Sequence, residues 1–321
     1  MKFIQPDFYE AFRCTAGACA HNCCLGWEVD VDPDTAAFYE RSEGALGEKM
    51  RRCMTVSPDG SRCFAMTEEG RCPFLDADNL CEIYSALGHD ALCDVCREHP
   101  RFYREFPGRT ERGLGLACEE VCRLLASGDR LTLVTVDDGA DDGLTDRERD
   151  DADFYDEFCD FRADLFREIF DGGRSLRDTL GKAIVMTADW SLERPLAARP
   201  FEEIARRYAA TEPIDREWEQ QAARLVRAAR PHLPGPAYDA HYKKVFAYLI
   251  FRHLSRGFFD GRYAEVMRFC VEAVLYLRLW DGMTLRETGA LTEDDLRESV
   301  RRWSQQVEYS AENTDALTYG E

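Results

Sequence analysis

Twelve of the fourteen cysteines lie within the first 122 residues, and only Cys159 and Cys270 fall beyond them. A core that uses cysteine simply as a small apolar residue has no reason to crowd it into one region. The crowding therefore points to a shared ligand. Four thiols occupy the eleven residues Cys14-Thr-Ala-Gly-Ala-Cys19-Ala-His-Asn-Cys23-Cys24. Cys72-Pro73-Phe74-Leu75, Cys81, the Cys93-x2-Cys96 pair and the Cys118-x3-Cys122 pair follow. No one pair is decisive. Close pairs separated by tens of residues suit a metal or cluster, which closes long loops by drawing ligands from distant segments.

The compartment bears on what the thiols do. The opening MKFIQPDFYEAF lacks the apolar run and small-residue cleavage site of a secretory signal. No segment reaches the roughly 18 apolar residues that a membrane span needs. A soluble, cytoplasmic protein without a membrane partner is expected, and a reducing cytosol makes dense cysteine metal-binding or catalytic rather than a disulfide framework. Zinc and iron–sulfur clusters both take thiolates, so residue type leaves the two open. The adjacent thiols of Cys23 and Cys24 point in different directions, and both reach one metal only on a contorted backbone. His21 and His99 are lone histidines, read here as structural.

A net charge of −20 argues against a phosphate-backbone partner, because nucleic-acid binding relies on basic patches that release counterions. No nucleic acid is expected.

Along the chain the pattern predicts an α+β, predominantly α fold: an irregular cysteine-rich, cluster-binding N-terminal module fused to an α-helical domain. Residues 1–136 form the module. Trp27–Val31 alternates as a strand, Phe102–Phe106 and Leu114–Cys118 read as a loose hairpin around Pro107 and Gly108, and Arg130–Val136 as a further strand. Asp32-Pro33 reads as an N-cap followed by proline at the first helical position. Residues 137–151 are acidic and glycine-containing, and are expected to be a linker or loop. From 152 to 321 the period is helical. Phe154, Phe158, Phe161, Leu165, Phe166 and Ile169 make one apolar face, and Trp218, Ala222, Leu225 and Ala229 another. His241–Phe259 and Tyr263–Leu279 read as long buried helices, and Thr292 as a cap on the next.

The segments Cys14–Trp27, Cys72–Gly88, Cys93–Arg101 and the Gly115–Leu125 run around Cys118 resemble the flagellin lysine-N-methylase (FliB) family. A more distant likeness is to zinc- or iron-binding cysteine-cluster proteins, which lack the long helical region. The resemblance implies methyl transfer from S-adenosylmethionine to lysines of flagellin, with an iron–sulfur cluster, of the 4Fe-4S type, held by the cysteine region. Its cysteines fall on Cys14, Cys19, Cys23, Cys24, Cys72, Cys81, Cys96 and Cys118, with Cys93 and Cys122 as extras. Glu119 stands where the family has proline. Arg97 and Arg101 are candidates for the cofactor carboxylate, since arginine makes charge-assisted bidentate contacts. Glu308 and Tyr309 are candidates by resemblance for the proton acceptor that a lysine nucleophile requires. The alternative is a zinc- or iron-binding module with no methyl transfer of its own. No strand leads into a G-x-G-x-x-G helix start, so a Rossmann site is not evident. Gly26 sits where a C-x3-C-x2-C run would place its third cysteine after Cys19 and Cys23.

Overall fold

Seven strands make two small sheets among the residues described, which in this computed structural model are 2–26, 29–57, 60–137, 139, 145–228 and 231–320. The strands are β1 (Lys2–Pro6), β2 (Val29–Val31), β3 (Met54–Val56), β4 (Arg62–Phe64), β5 (Arg101–Phe106), β6 (Arg109–Leu114) and β7 (Leu133–Asp137). One sheet has the order β5-β6-β1-β7, with β1 parallel to β6 and antiparallel to β7. The other has the antiparallel order β2-β4-β3. The remaining regular structure is helical, so the predominantly α, α+β expectation holds.

Contacts divide the chain into two units. One is Arg13–Phe102 with Cys118–Glu120; the other is Met1–Phe12, Tyr103–Ala117 and Val121–Glu321. This corrects the expected break at 137–151. The strand at 133–137 pairs along the whole of β1, with Lys2 opposite Asp137 and Pro6 opposite Leu133, so both ends of the supposed module belong with the helices. The linker assignment also fails for its last residues. Thr145 caps a helix over Asp146–Asp171, its hydroxyl accepting from the Glu148 amide while Glu148 accepts from the Thr145 amide. Residues 138 and 140–144 lie outside the described set, as do Trp27, Glu28 and Ala229 of the expected patterns.

The smaller unit is built on a short apolar core. Asp32 caps the helix Pro33–Arg41 as expected, its carboxylate accepting from the Thr35 amide at 2.9 Å. A second helix, Gly44–Cys53, leads into the β3–β4 hairpin. Val29, Val31, Tyr39, Met50, Phe64, Phe74 and Ile83 pack together, Phe64 lying 4.6 Å from Phe74 and 5.8 Å from Tyr39, centre to centre. The expected hairpin is tighter than its sequence suggested. β5 turns at Pro107-Gly108, where Gly108 has φ +70°, directly into β6, and Leu114–Cys118 is not its second strand.

In the larger unit the helix Tyr263–Thr288 runs through the centre, buried over most of its length, as a helix with apolar residues on most of its faces must be. Leu176–Ser191, Asp239–His253, Glu293–Val307 and Ala311–Tyr319 pack around it. A Cβ on Gly282 would lie 1.6 Å from the His232 carbonyl, so only glycine lets that chain segment cross the helix. Phe158, Phe161, Leu165 and Ile169 are buried as expected, and Trp190 stacks 4.7 Å from Phe161. The helix expected over His241–Phe259 is Asp239–His253; two short turns, Leu254–Arg256 and Gly257–Asp260, follow it. Thr292 caps Glu293–Val307 with Asp295 as its reciprocal partner. No helix among the described residues is long and apolar enough to cross a membrane.

Candidate metal centre

Local hydrogen bonds in the smaller unit bring four cysteine segments to one place. The Cys72 amide donates to the Cys24 carbonyl at 2.9 Å, and the Gly26 amide to the Gly70 carbonyl at 2.8 Å, so residues 24–26 run beside 70–72. Leu75 bridges to Cys81, closing a loop in which the Asp76 carboxylate accepts from the Asp78 and Leu80 amides. The other Asp32 oxygen accepts from the Asp94 amide at 2.9 Å, which fixes the turn carrying Cys93 and Cys96. Tyr39 donates its hydroxyl to the Ala91 carbonyl at 2.7 Å under the same turn.

The outcome is one thiol-rich core. Cys72 and Cys93 are buried within it, and Cys24, Cys53, Cys81 and Cys96 pack against it half-buried. Burial pushes the Cys72 thiol up to about 11 and raises Cys81. Cys96 donates to the Cys93 sulfur, which raises Cys96 and lowers Cys93; Cys24 stands in the same relation to Cys23. The thiolate is the metal-binding form of cysteine, and thiolates suit iron and zinc. The donor chemistry thus fits a thiophilic ion or cluster. Among the described residues, no three cysteine, histidine, aspartate or glutamate side chains are disposed to hold a metal as they stand. The sulfurs are gathered, and a bound ion would have to draw them inward.

The cysteines expected to ligate do not all share this core. Cys24, Cys72, Cys81 and Cys96 do, with Cys23 hydrogen-bonded at its edge. Cys14 is exposed, its sulfur accepting from the Ala16 amide at 3.3 Å. Cys19 and Cys118 are half-buried and lie on segments joined by Glu119, whose carboxylate accepts from the Ala20 and His21 amides at 3.0 and 3.2 Å. The residue that departs from the family's proline is thus the tie for the Cys19–Cys23 loop. Sequence reasoning missed Cys53 and Tyr39, and set Cys93 aside as an extra; its signal was the Cys93-x2-Cys96 spacing.

Arg97 is engaged by its own turn: it donates to the Leu92 carbonyl at 3.0 Å and pairs with Asp94 and Glu98. Arg101 opens β5, half-buried. His99 is pushed down to about 4 by burial, consistent with a neutral structural role. Glu308, in the larger unit, is fully buried. Burial pushes it up, but Arg252 at 3.0 Å and His253 at 2.8 Å outweigh that and hold it below its ordinary range. It is not open to a protein substrate. Tyr309 beside it is 45% exposed.

Among known proteins, the flagellar biosynthetic protein FliU of Salmonella muenchen is 30% identical over 141 residues, 40% of this chain and 80% of FliU. The chain belongs to the FliB family. Two other relatives are the lysine-N-methylases of Salmonella typhimurium (strain LT2) and Salmonella choleraesuis (strain SC-B67). Each is 30% identical over 141 residues, 40% of this chain and 34% of the methylase. This FliB-family chain therefore matches about a third of the length of those methylases. No protein-family model matches it, and no solved structure does.

Proposed function

We propose that the chain acts in the N-methylation of lysine side chains on flagellin, with S-adenosylmethionine as methyl donor and an iron–sulfur cluster held by its cysteines. The observation that carries this reading is the thiol core itself, in a chain whose relatives are named for lysine methylation and flagellar biosynthesis. Cys24, Cys72, Cys81 and Cys96 would hold the cluster, and zinc is the alternative metal. Were three of those four thiols to ligate a four-iron cluster, the remaining iron would offer a point at which an amino acid's amino and carboxylate groups can bind. Arg97, which also serves its own turn, and Arg101 remain the candidates for the cofactor carboxylate. A lysine must lose its proton and shed water before it attacks a methyl group, so its site must disfavour the ammonium. The net charge of −20 favours encounter with basic surfaces and loses that influence as salt screens it.

A second reading, a metal-binding module without methyl transfer, is favoured by the sheets. Among the described residues the only parallel strand pair is β1 with β6, so the doubly wound sheet that commonly carries methyl donors is not present.

Coexpression with the flagellin of the same organism tests the choice. Peptide mass spectrometry should find lysines heavier by whole methylene units, and a Cys96→Ser variant should leave them unmodified. Unmodified flagellin beside a cluster-replete chain and S-adenosylmethionine would sink the flagellin assignment; modified lysines on another protein would keep the chemistry and change the target.

A further inference from the structure

We propose that Cys93 is one of the thiols, at most four, that a single metal centre draws from Cys24, Cys72, Cys81, Cys93 and Cys96, and that Cys14 and Cys19 stand outside that set. The inference rests on the proposed metal-binding reading and assigns its ligands differently from the family pattern, which passes over Cys93. Three observations place Cys93 inside. Its side chain is 1% exposed, within the core that also contains Cys72. Its backbone carbonyl accepts from the Cys96 amide at 3.0 Å and the Arg97 amide at 2.9 Å, so Cys93 and Cys96 sit on one turn with their sulfurs hydrogen-bonded. That turn is fixed to the protein by Asp32, and Tyr39 closes it from below, so the pair is held before any ion arrives.

The contrast with the other cysteines is physical. Cys63 is as deeply buried as Cys93, yet its sulfur is engaged by the hydroxyls of Thr55 and Ser57 at 3.3 and 3.4 Å, the mark of a structural thiol. Cys14 lies on the exposed loop and accepts a backbone amide. Cys19 is half-buried outside that core, on the loop that the Glu119 carboxylate ties through the Ala20 and His21 amides. A zinc ion or a four-iron cluster entering the core would take at most four of these five sulfurs, and on binding would release their protons to solvent.

The test uses the full chain, purified anaerobically and reconstituted with ferrous iron and sulfide, or loaded with cobalt(II) as a zinc surrogate. Iron and sulfide per chain are measured, as is the intensity of the thiolate-to-cobalt charge-transfer band. Loss of a mere supporting contact lowers metal affinity by about 10–100-fold, so Cys93→Ser should weaken metal binding at least that much and dim the band. Cys14→Ser should bind as the parent does. Because Cys93→Ser in a core can fail to fold, the parent chain provides a second measurement. Alkylation in mild denaturant should be slow at Cys93 with metal and fast after chelation, while Cys14 reacts equally in both. Normal metal content and spectrum in a folded Cys93→Ser chain, beside their loss in Cys96→Ser, would overturn the inference and leave the metal reading standing, as would metal-independent alkylation of Cys93. A parent chain that takes up neither iron with sulfide nor cobalt would overturn both.

Discussion

The two units bury polar groups in opposite ways. In the Arg13–Phe102 unit the buried polar atoms are sulfurs gathered beside a small aromatic core, and their mutual contacts are weak hydrogen bonds between thiols. In the larger unit two clusters of full charges are paired, while other buried atoms there, among them His241 Nε2 and Tyr276 Oη, have no hydrogen-bond partner among the described residues. Glu111 and Arg162 are each 1% exposed and form an ion pair; Tyr155 donates to Glu111 at 2.7 Å and Ser255 at 3.0 Å. Glu308 is served likewise by Arg252, His253 and Ser304. A network with all its partners present is complete without a ligand. A buried thiol is neutral and packs as a small apolar group, so sulfurs can be gathered with no charge to compensate. The comparison separates a unit whose buried polar atoms are thiols, open to a thiophilic ligand, from one whose buried charges already have protein partners.

The largest effect should come from the thiol core. On the metal reading, a strong chelator should raise amide hydrogen exchange throughout 29–102 while the Tyr263–Thr288 helix keeps its protection, because binding energy there is folding energy. Equal loss in both units, or none in either, would break the comparison. Next in size is the finished network. Glu111→Ala leaves Arg162 buried without its partner and should cost about 3–5 kcal/mol in denaturant unfolding. A loss under about 1 kcal/mol, the worth of an exposed pair, would show that the network is not sealed from water.

The smallest effect sharpens the picture within the larger unit. Asp281 is buried, accepts from the Tyr242 hydroxyl at 2.7 Å and is pushed up to about 7 by that burial. The folded chain therefore holds a proton that the unfolded chain gives up near the ordinary carboxylate value. Stability from this group is complete below about 4, falls as pH rises toward 7 and is gone above it. Asp281→Asn should flatten that decline in thermal melts between the two values; an unchanged slope would assign it to other groups.

Much of the fold was legible because its signals are local. The cap at Asp32, the capping motif at Thr292 and the face of Phe158, Phe161, Leu165 and Ile169 each depend on residues a turn or two apart, and each formed as expected. The concentration of twelve cysteines in the first 122 residues likewise announced a thiol centre before any coordinates.

What only the tertiary structure decided is which distant residues meet. The resemblance counted Cys14 as a donor and Cys93 as an extra, yet Cys14 lies on an exposed loop and Cys93 in the core, where Asp32 captures the turn before Cys96 from 62 residues away. The strand at 133–137 looked like the end of a module and proved to be the partner of the first strand, since strand pairing is indifferent to separation along the chain. Glu308 was a candidate proton acceptor by resemblance alone, and only the fold shows Arg252 and His253 around it. The chain's own order specified its donors, caps and helical faces. Long-range hydrogen bonds and burial, which no local pattern encodes, selected which of those donors share a centre.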